Sequence, residues 1–247
     1  MTTIDLNADL GEGGACDLEL LDIVSSCNVA CGGHAGDDES MQATICAAKA
    51  AGVAIGAHPS YPDRDGFGRR SRFLEGDALA DAMLGQVSRF KAHVKSEAGI
   101  LSHVKPHGAL YNDAAIDSTL AEMIVSVVQR AAPDAAIVGP PDSALQKAAR
   151  NAPVLFIGEA FVDRMYLPNG RLVPRVEPGA VHSDINTMTA QAVSLATSGT
   201  TTAQDGSVIK VAAKTLCIHG DSSGAAAVAR AVRDVLQANG VDVHAAI

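Results

Sequence analysis

Short apolar runs alternate with Ala-rich amphipathic stretches from one end of the chain to the other. The apolar runs predict strands at residues 4–9, 27–31, 53–58, 100–105, 135–138, 154–159 and 216–219. Between most of them lie segments with helical periodicity, such as 40–51, 76–98 and 118–131. Strand and helix alternating this often describe parallel βα units. About seven such units in 247 residues predict an α/β fold, an irregular (β/α) barrel of seven or eight strands, for which about 250 residues is typical. A doubly wound open sheet is the alternative. No Pro- or Ser-rich linker or internal repeat divides the chain, so a single domain over 1–247 is expected. Residues 160–212 fit this pattern least: the stretch 164–179 carries three prolines and two glycines and reads as an excursion, not a βα unit.

In a (β/α) barrel the loops after the C-terminal strand ends build the site, so what terminates each strand is informative. The first ends in Asn7 and Asp9, followed by Gly11-Glu12-Gly13-Gly14; the second runs into Gly32-Gly33-His34, and the third ends in His58-Pro59. The fourth carries His103, Lys105 and His107, the sixth ends in Glu159 with Asp163-Arg164 beyond, and the last runs His219-Gly220-Asp221. Residues two apart in a strand share a face. Asp5, Asn7 and Asp9 therefore point one way and Ile4, Leu6 and Ala8 the other; His103, Lys105 and His107 likewise share a face. If the apolar sets face the helices, the polar sets converge on the barrel mouth. A single strand-end histidine is usually a hydrogen-bonded structural residue, but His34, His58, His103, His107 and His219 at corresponding ends form a pattern. His93 and His244 read as structural, and His182 stays undecided.

Carboxylates and histidines at barrel ends suit hydrolysis, either with a divalent metal that activates water or with Asp and His as acid and base. Lys105 would stabilise negative charge developing on a substrate oxygen. The loop Gly66-Phe67-Gly68-Arg69-Arg70 offers two guanidiniums for a carboxylate or phosphate, although a solvated basic loop reads equally well. The segment from His219 to Gly224 runs into an Ala-rich helix whose first N–H groups would hold an anion. There is no GxxxxGK[ST] and no strand-linked GxGxxG with an acidic partner, so neither a P-loop ATPase nor a Rossmann dehydrogenase is supported.

Composition removes other classes. Nineteen Lys+Arg against 28 Asp+Glu gives a net charge of −9, and with 3% aromatics and no Trp a nucleic-acid partner is not expected. No run approaches the roughly 20 apolar residues of a spanning helix, and the N-terminus shows no basic, apolar leader. A cytoplasmic protein with no membrane partner is expected. The five cysteines are an odd set without CxxC, so they read as reduced; Cys27 and Cys31 read as small buried strand residues before they read as metal ligands with His34.

Six blocks together resemble the LamB/YcsF family: residues 5–12 (DLNADLGE), 28–37 (NVACGGHAGD), 56–63 (GAHPSYPD), 66–70 (GFGRR), 103–112 (HVKPHGALYN) and 217–221 (CIHGD). Residues 161–166 and 178–181 fit its later blocks, so the resemblance spans nearly the whole chain, in one order. It implies an irregular TIM-like barrel similar to the glycoside hydrolase/deacetylase superfamily. It also implies one component of a bacterial 5-oxoprolinase, a hydrolase that opens the lactam of 5-oxo-L-proline (pyroglutamate) to L-glutamate while ATP becomes ADP and phosphate. Two further subunits, of B and C type, are implied as partners sharing the nucleotide. In that scheme Asp9, Glu12 and His58 are acid, base or metal ligands, and Lys105 and His107 hold the lactam oxygen or phosphate. Arg69 or Arg70 takes the substrate carboxylate, with Asn7, His34, Glu159, His219 and Asp221 as further binding residues. The second reading is a stand-alone metal-dependent deacetylase or amidohydrolase with Asp9, His34 and His58 as ligands. The third is a non-catalytic, substrate-binding member of a complex. Two departures from the family flank the presumed site: the segment between Gly14 and Leu20 is short, and Gly33 stands where an aromatic residue is common.

Overall fold

The computed structural model describes residues 2–72, 74, 77–219 and 224–247. Its elements run β1 (Thr2–Leu10), α1 (Asp17–Leu21), β2 (Ser26–Ala30), α2 (Asp38–Ala51), β3 (Ala54–His58), α3 (Ala78–Ser96), β4 (Leu101–Val104), α4 (Gly108–Ala114) and α5 (Ser118–Ala131). They continue with β5 (Ala136–Gly139), α6 (Ala144–Arg150), β6 (Phe156–Phe161), α7 (Ile185–Ser198), β7 (Thr200–Thr202), β8 (Val208–Lys210), β9 (Thr215–Ile218), α8 (Ala225–Ala238) and β10 (Val241–Val243). From β1 to β6 each strand pairs in parallel with the next. β9 then pairs with β6 on one side and β1 on the other, closing a barrel of seven parallel strands. The expected barrel is therefore the fold, and the open sheet is excluded by the β9–β1 seam.

Outward-facing strand residues such as Ile4, Leu6, Ala8, Val29, Ala57, Val104 and Leu216 pack on the helices in one continuous core. The helices start where the sequence supplies caps. Asp37 and Ser40 form a reciprocal capping box at α2, Asp117 accepts from the N–H groups of Thr119 and Leu120 at α5, and Asp184 caps α7 through Thr187. Helices α2 and α7 end on left-handed glycines, Gly52 and Gly199.

The irregular part falls where the prolines predict it. Between β6 and β9 the chain makes isolated bridges from Arg164 to Val181 and from Tyr166 to Leu172, then α7 and the antiparallel ribbon β7–β8. Arg164 clamps this excursion, donating to the carbonyls of Val173 and Ala180, and burial lowers its pKa to about 10. Gln191 on α7 fixes the root, its amide nitrogen donating to the carbonyls of Phe161, Val162 and Arg164. No helix among the described residues is long and apolar enough to cross a membrane.

Barrel interiors of this kind are usually filled with branched apolar side chains. Here only one side is apolar, with Ala136, Val138 and Ile157 in contact. The rest is a polar column. Register places Asp9 beside Asn28, Gly56 beside His103 and Glu159 beside Thr215. The polar faces thus extend through the barrel, whereas the sequence pattern gathers them only at its mouth.

Candidate active site

At the bottom of the column Asp5 accepts from the hydroxyls of Ser25 and Ser26, and burial raises its pKa. Above it Asn7 donates through Nδ2 to Glu159 Oε1 (3.0 Å) and Thr215 Oγ1 (2.6 Å), while Asn28 Nδ2 donates to Asn7 Oδ1 and Asp9 Oδ1, each at 2.8 Å. His103 belongs to this layer, not to the mouth: Nε2 meets Asn28 Oδ1 at 2.8 Å and Nδ1 meets the Ser102 hydroxyl at 2.9 Å. Burial, then the charge of Lys105, pushes its pKa down to about 3, so it is neutral. The five-histidine pattern therefore holds one structural member.

Lys105, one residue beyond β4, turns into the barrel with 2% of its surface exposed. Its Nζ lies 2.9 Å from Asp9 Oδ1 and 2.8 Å from Glu159 Oε1. Burial opposes the charge, but Asp9 above all keeps the amine well above its ordinary pKa. Burial likewise works against the Asp9 carboxylate, and His58 with Lys105 outweighs it, holding Asp9 well below the usual range.

Above this pair, ligand atoms of Asp9, Glu12, His58 and His107 lie within 4.8 Å of one another. His58 Nδ1 faces the Lys105 carbonyl at 2.7 Å, and His107 Nε2 faces the Phe67 carbonyl at 2.9 Å, so each of these nitrogens carries a hydrogen and donates it. The other two nitrogens, His58 Nε2 and His107 Nδ1, are thereby turned toward each other at 3.0 Å. Asp9 Oδ2 lies 3.3 Å from the first and Glu12 Oε1 3.4 Å from the second. Two imidazole lone pairs at this distance repel unless a proton or a metal cation lies between them. Two imidazole nitrogens and two carboxylate oxygens are also a donor set suited to a divalent metal such as zinc. Without a metal, the pair is a site for one proton flanked by two carboxylates; burial and the neighbouring His58 and His34 keep the His107 pKa well below its ordinary value.

The metal set read from residue types, Asp9, His34 and His58, meets differently in space. Glu12 and His107 occupy the place expected of His34, whose Nε2 donates to Glu12 Oε1 at 2.9 Å while its ring stacks flat on His107 with centroids 3.6 Å apart. Gly33 beside it lies against Gln86, which bridges Ser60 N and O. A Cβ at 33 would meet that amide and the Ser60 hydroxyl, so a larger residue requires both to move.

Asp9, Glu12, His58, Lys105 and His107 line one side of a cleft of about 1230 Å³ at the C-terminal ends of the strands. The excursion, from Tyr166 to Val176, forms the opposite wall. Arg69 lines the cleft, its guanidinium over Phe67 at 5.0 Å. Arg70 does not: with Arg72 it is engaged by the buried Asp63, which also accepts from Arg70 Nε at 3.0 Å. His219 lies in the cleft, bonded to Asp163 Oδ2 at 2.7 Å and stacked on Phe161. Asp221 and the segment 220–223, expected to hold an anion, lie outside the described residues. The sequence reading overlooked Asn28, Tyr111, Phe161, Thr215 and Gln191. Asn28 and Tyr111 stand inside two of the six motif blocks, next to residues of more reactive type; Gln191 acts through contacts some thirty residues away, for which a sequence carries no signal.

The model of the LamB/YcsF family matches residues 4–247. A protein of Heliobacterium modesticaldum, named as the A subunit of 5-oxoprolinase, is 44% identical, covering 98% of this chain and 97% of its own. One of the same name from Methylococcus capsulatus is also 44% identical, with 98% and 95% covered. The crystal structure of a lactam utilization protein from Thermus thermophilus superposes with a TM-score of 0.91 at 40% identity, covering 98% of this chain and 99% of the other. A family 4 carbohydrate esterase from Streptomyces lividans shares the fold alone, with a TM-score of 0.50 at 11% identity over 98% of this chain and 91% of the other.

Proposed function

The chain belongs to the LamB/YcsF family, and from that premise we propose that it is the A-type subunit of an ATP-dependent 5-oxoprolinase, binding 5-oxo-L-proline and opening its ring. The observation that carries the reading is the convergence of Asp9, Glu12, His58 and His107 above the buried Lys105, in a chain whose relatives carry 5-oxoprolinase and lactam-utilization names. A lactam carbonyl is a poor electrophile, and phosphorylating its oxygen turns it into an imidate that water attacks. B- and C-type partner subunits would supply the phosphorylation machinery, because this chain has no phosphate-binding loop motif.

Within the barrel each group then has a task set by its surroundings. Asp9, ionised and 3.3 Å from His58 Nε2, orients a water whose proton passes to the His58–His107 pair. Glu12 positions His34 and His107. The Lys105 ammonium stabilises negative charge developing on the lactam oxygen. Arg69, at the cleft wall, is placed for the substrate carboxylate. Assembled with its partners, the His58→Ala and Asp9→Asn proteins are expected to lose at least about 100-fold in ATP-dependent glutamate formation while circular dichroism stays native. Near-normal turnover in both would favour a non-catalytic binding role and sink the assignment.

The same four donors favour one second reading, an amide hydrolase acting alone with a metal. In it Asp9, Glu12, His58 and His107 would hold the ion, which would supply a Lewis acid and a more acidic water. Stoichiometric divalent metal in the isolated chain, with amide hydrolysis independent of ATP, would replace the first reading by this one.

A further inference from the structure

Two polar atoms in the lining of the cleft, Glu159 Oε2 and the Tyr111 hydroxyl, make no well-formed hydrogen bond, although the hydroxyl lies close enough to the Glu159 carboxylate to interact with it. Both residues line the cleft and are buried, 1% and 4% exposed. Buried polar atoms in folded proteins are nearly always paired, so two adjacent ones without a well-formed bond mark a place for a ligand. Their neighbours hold them in position. Glu159 Oε1 is fixed by Asn7 (3.0 Å) and Lys105 (2.8 Å), which leaves the buried Oε2 as the acceptor without a well-formed hydrogen bond. The Tyr111 ring packs edge-on against Phe161, with Leu172 and Cys217 completing a small apolar wall. Burial, then the Glu159 charge beside it, keeps the phenol well above its ordinary pKa, so it remains a donor.

A carboxylate oxygen next to a hydroxyl is the complement of one chemical edge: an N–H and a C=O pointing the same way. Open-chain secondary amides are trans and place the two on opposite sides. A small lactam is forced cis by its ring and presents both together. Resting on the reading of this chain as the oxoproline-binding subunit, we propose that Glu159 and Tyr111 are a two-point clamp for the cis-amide edge of the lactam. Glu159 Oε2 accepts the ring N–H, Tyr111 donates to the ring carbonyl, and the methylenes lie on Phe161 and Leu172. Lys105 stands between this clamp and Asp9, so the clamp sets the carbonyl carbon toward the Asp9–His58 side.

The clamp also gives the lactam proton a destination. When the carbonyl oxygen attacks the γ-phosphorus of the nucleoside triphosphate, an O–P bond forms and the P–O bond to the diphosphate breaks, its electron pair leaving with the diphosphate. The ring N–H proton passes to Glu159 Oε2 and leaves a C=N imidate. Water then adds to the carbon, one of its protons passing to the His58–His107 pair, and the proton held by Glu159 returns to nitrogen. As the C–N bond breaks the new hydroxyl's proton passes to the nitrogen, leaving an amine and an acyl phosphate that a second water cleaves to carboxylate and phosphate.

The test uses the chain assembled with its partner subunits, following ATP-dependent glutamate formation. The Tyr111→Phe protein is expected to raise KM for 5-oxoproline about tenfold with a smaller change in kcat. Glu159→Gln, which keeps an oxygen acceptor but no base, is expected to lower kcat at least about 100-fold. In the unaltered assembly N-methyl-5-oxoproline, which has no N–H, should inhibit with a Ki at least about ten times the 5-oxoproline KM. An N-methyl analogue that binds as well as the substrate, or a Tyr111→Phe protein with unchanged KM, overturns the clamp while the 5-oxoprolinase reading stands. No glutamate formation by the unaltered assembly overturns both.

Discussion

Two basic side chains lie buried in adjacent layers of the same barrel and take opposite charge states, and their neighbours decide which. Lys105 has carboxylates at 2.8 and 2.9 Å and remains an ammonium; His103 has an amide oxygen and a hydroxyl and remains neutral, its pKa near 3. That difference has a thermodynamic sign. An unfolded histidine takes its proton near 6.5, so between that value and about 3 the unfolded chain binds a proton that His103 refuses. Stability is therefore full above about pH 6.5 and falls as the pH drops toward 3, by up to about 1.4 kcal/mol per unit for this residue. Urea midpoints at pH 7 and pH 5 check it. The loss on acidification should be smaller in a His103→Gln protein, and an equal loss in both would assign it elsewhere. Strand-end position and alternation group His103 with the other histidines at the barrel mouth, because alternation along a strand reports which face a side chain is on but not how deep it lies.

Depth is set between elements, at the seam of β3 and β4. The register shifts between Ile55 and Gly56 and brings His103 beside Gly56, two residues below His58. There the imidazole occupies the volume a Cβ at 56 would need. Gly56→Ala is expected to force the ring out of its place against Asn28 and lower stability by about 1–3 kcal/mol, read from denaturant midpoints. An alanine tolerated at wild-type stability would show that the seam can open without cost. The strands themselves were legible, since all seven staves overlap the apolar runs read from the chain, and so was the excursion, announced by its prolines. Side-chain pairing between distant elements was not. Nothing near Arg70 in the chain distinguishes it from Arg69, yet Asp63 engages one while the other lines the cleft. Tyr111 and Glu159 stand 48 positions apart and become a pair only when α4 is laid over the end of β6.

At the scale of the molecule, the cleft and its proposed ligand differ in size. A volume of about 1230 Å³ exceeds the roughly 300–1,000 Å³ usual for a drug-sized ligand, and a single lactam ring fills a small part of it. The unfilled part is bounded by the excursion, where Arg164, Arg171 and Arg175 line the wall of a chain whose net charge is −9. A cationic wall on an acidic protein concentrates field where an anion enters. This division suits a barrel that holds the lactam on its floor and leaves its mouth for phosphate groups delivered from a partner. Isolated, the chain should bind 5-oxoproline by calorimetry, with affinity falling as salt is raised, yet form no glutamate with ATP. Glutamate formation should appear only when both partner subunits are added. Should the isolated chain turn over 5-oxoproline with ATP at the rate of the assembly, the open mouth would have to serve this chain's own nucleotide, and phosphorylation would belong inside the barrel.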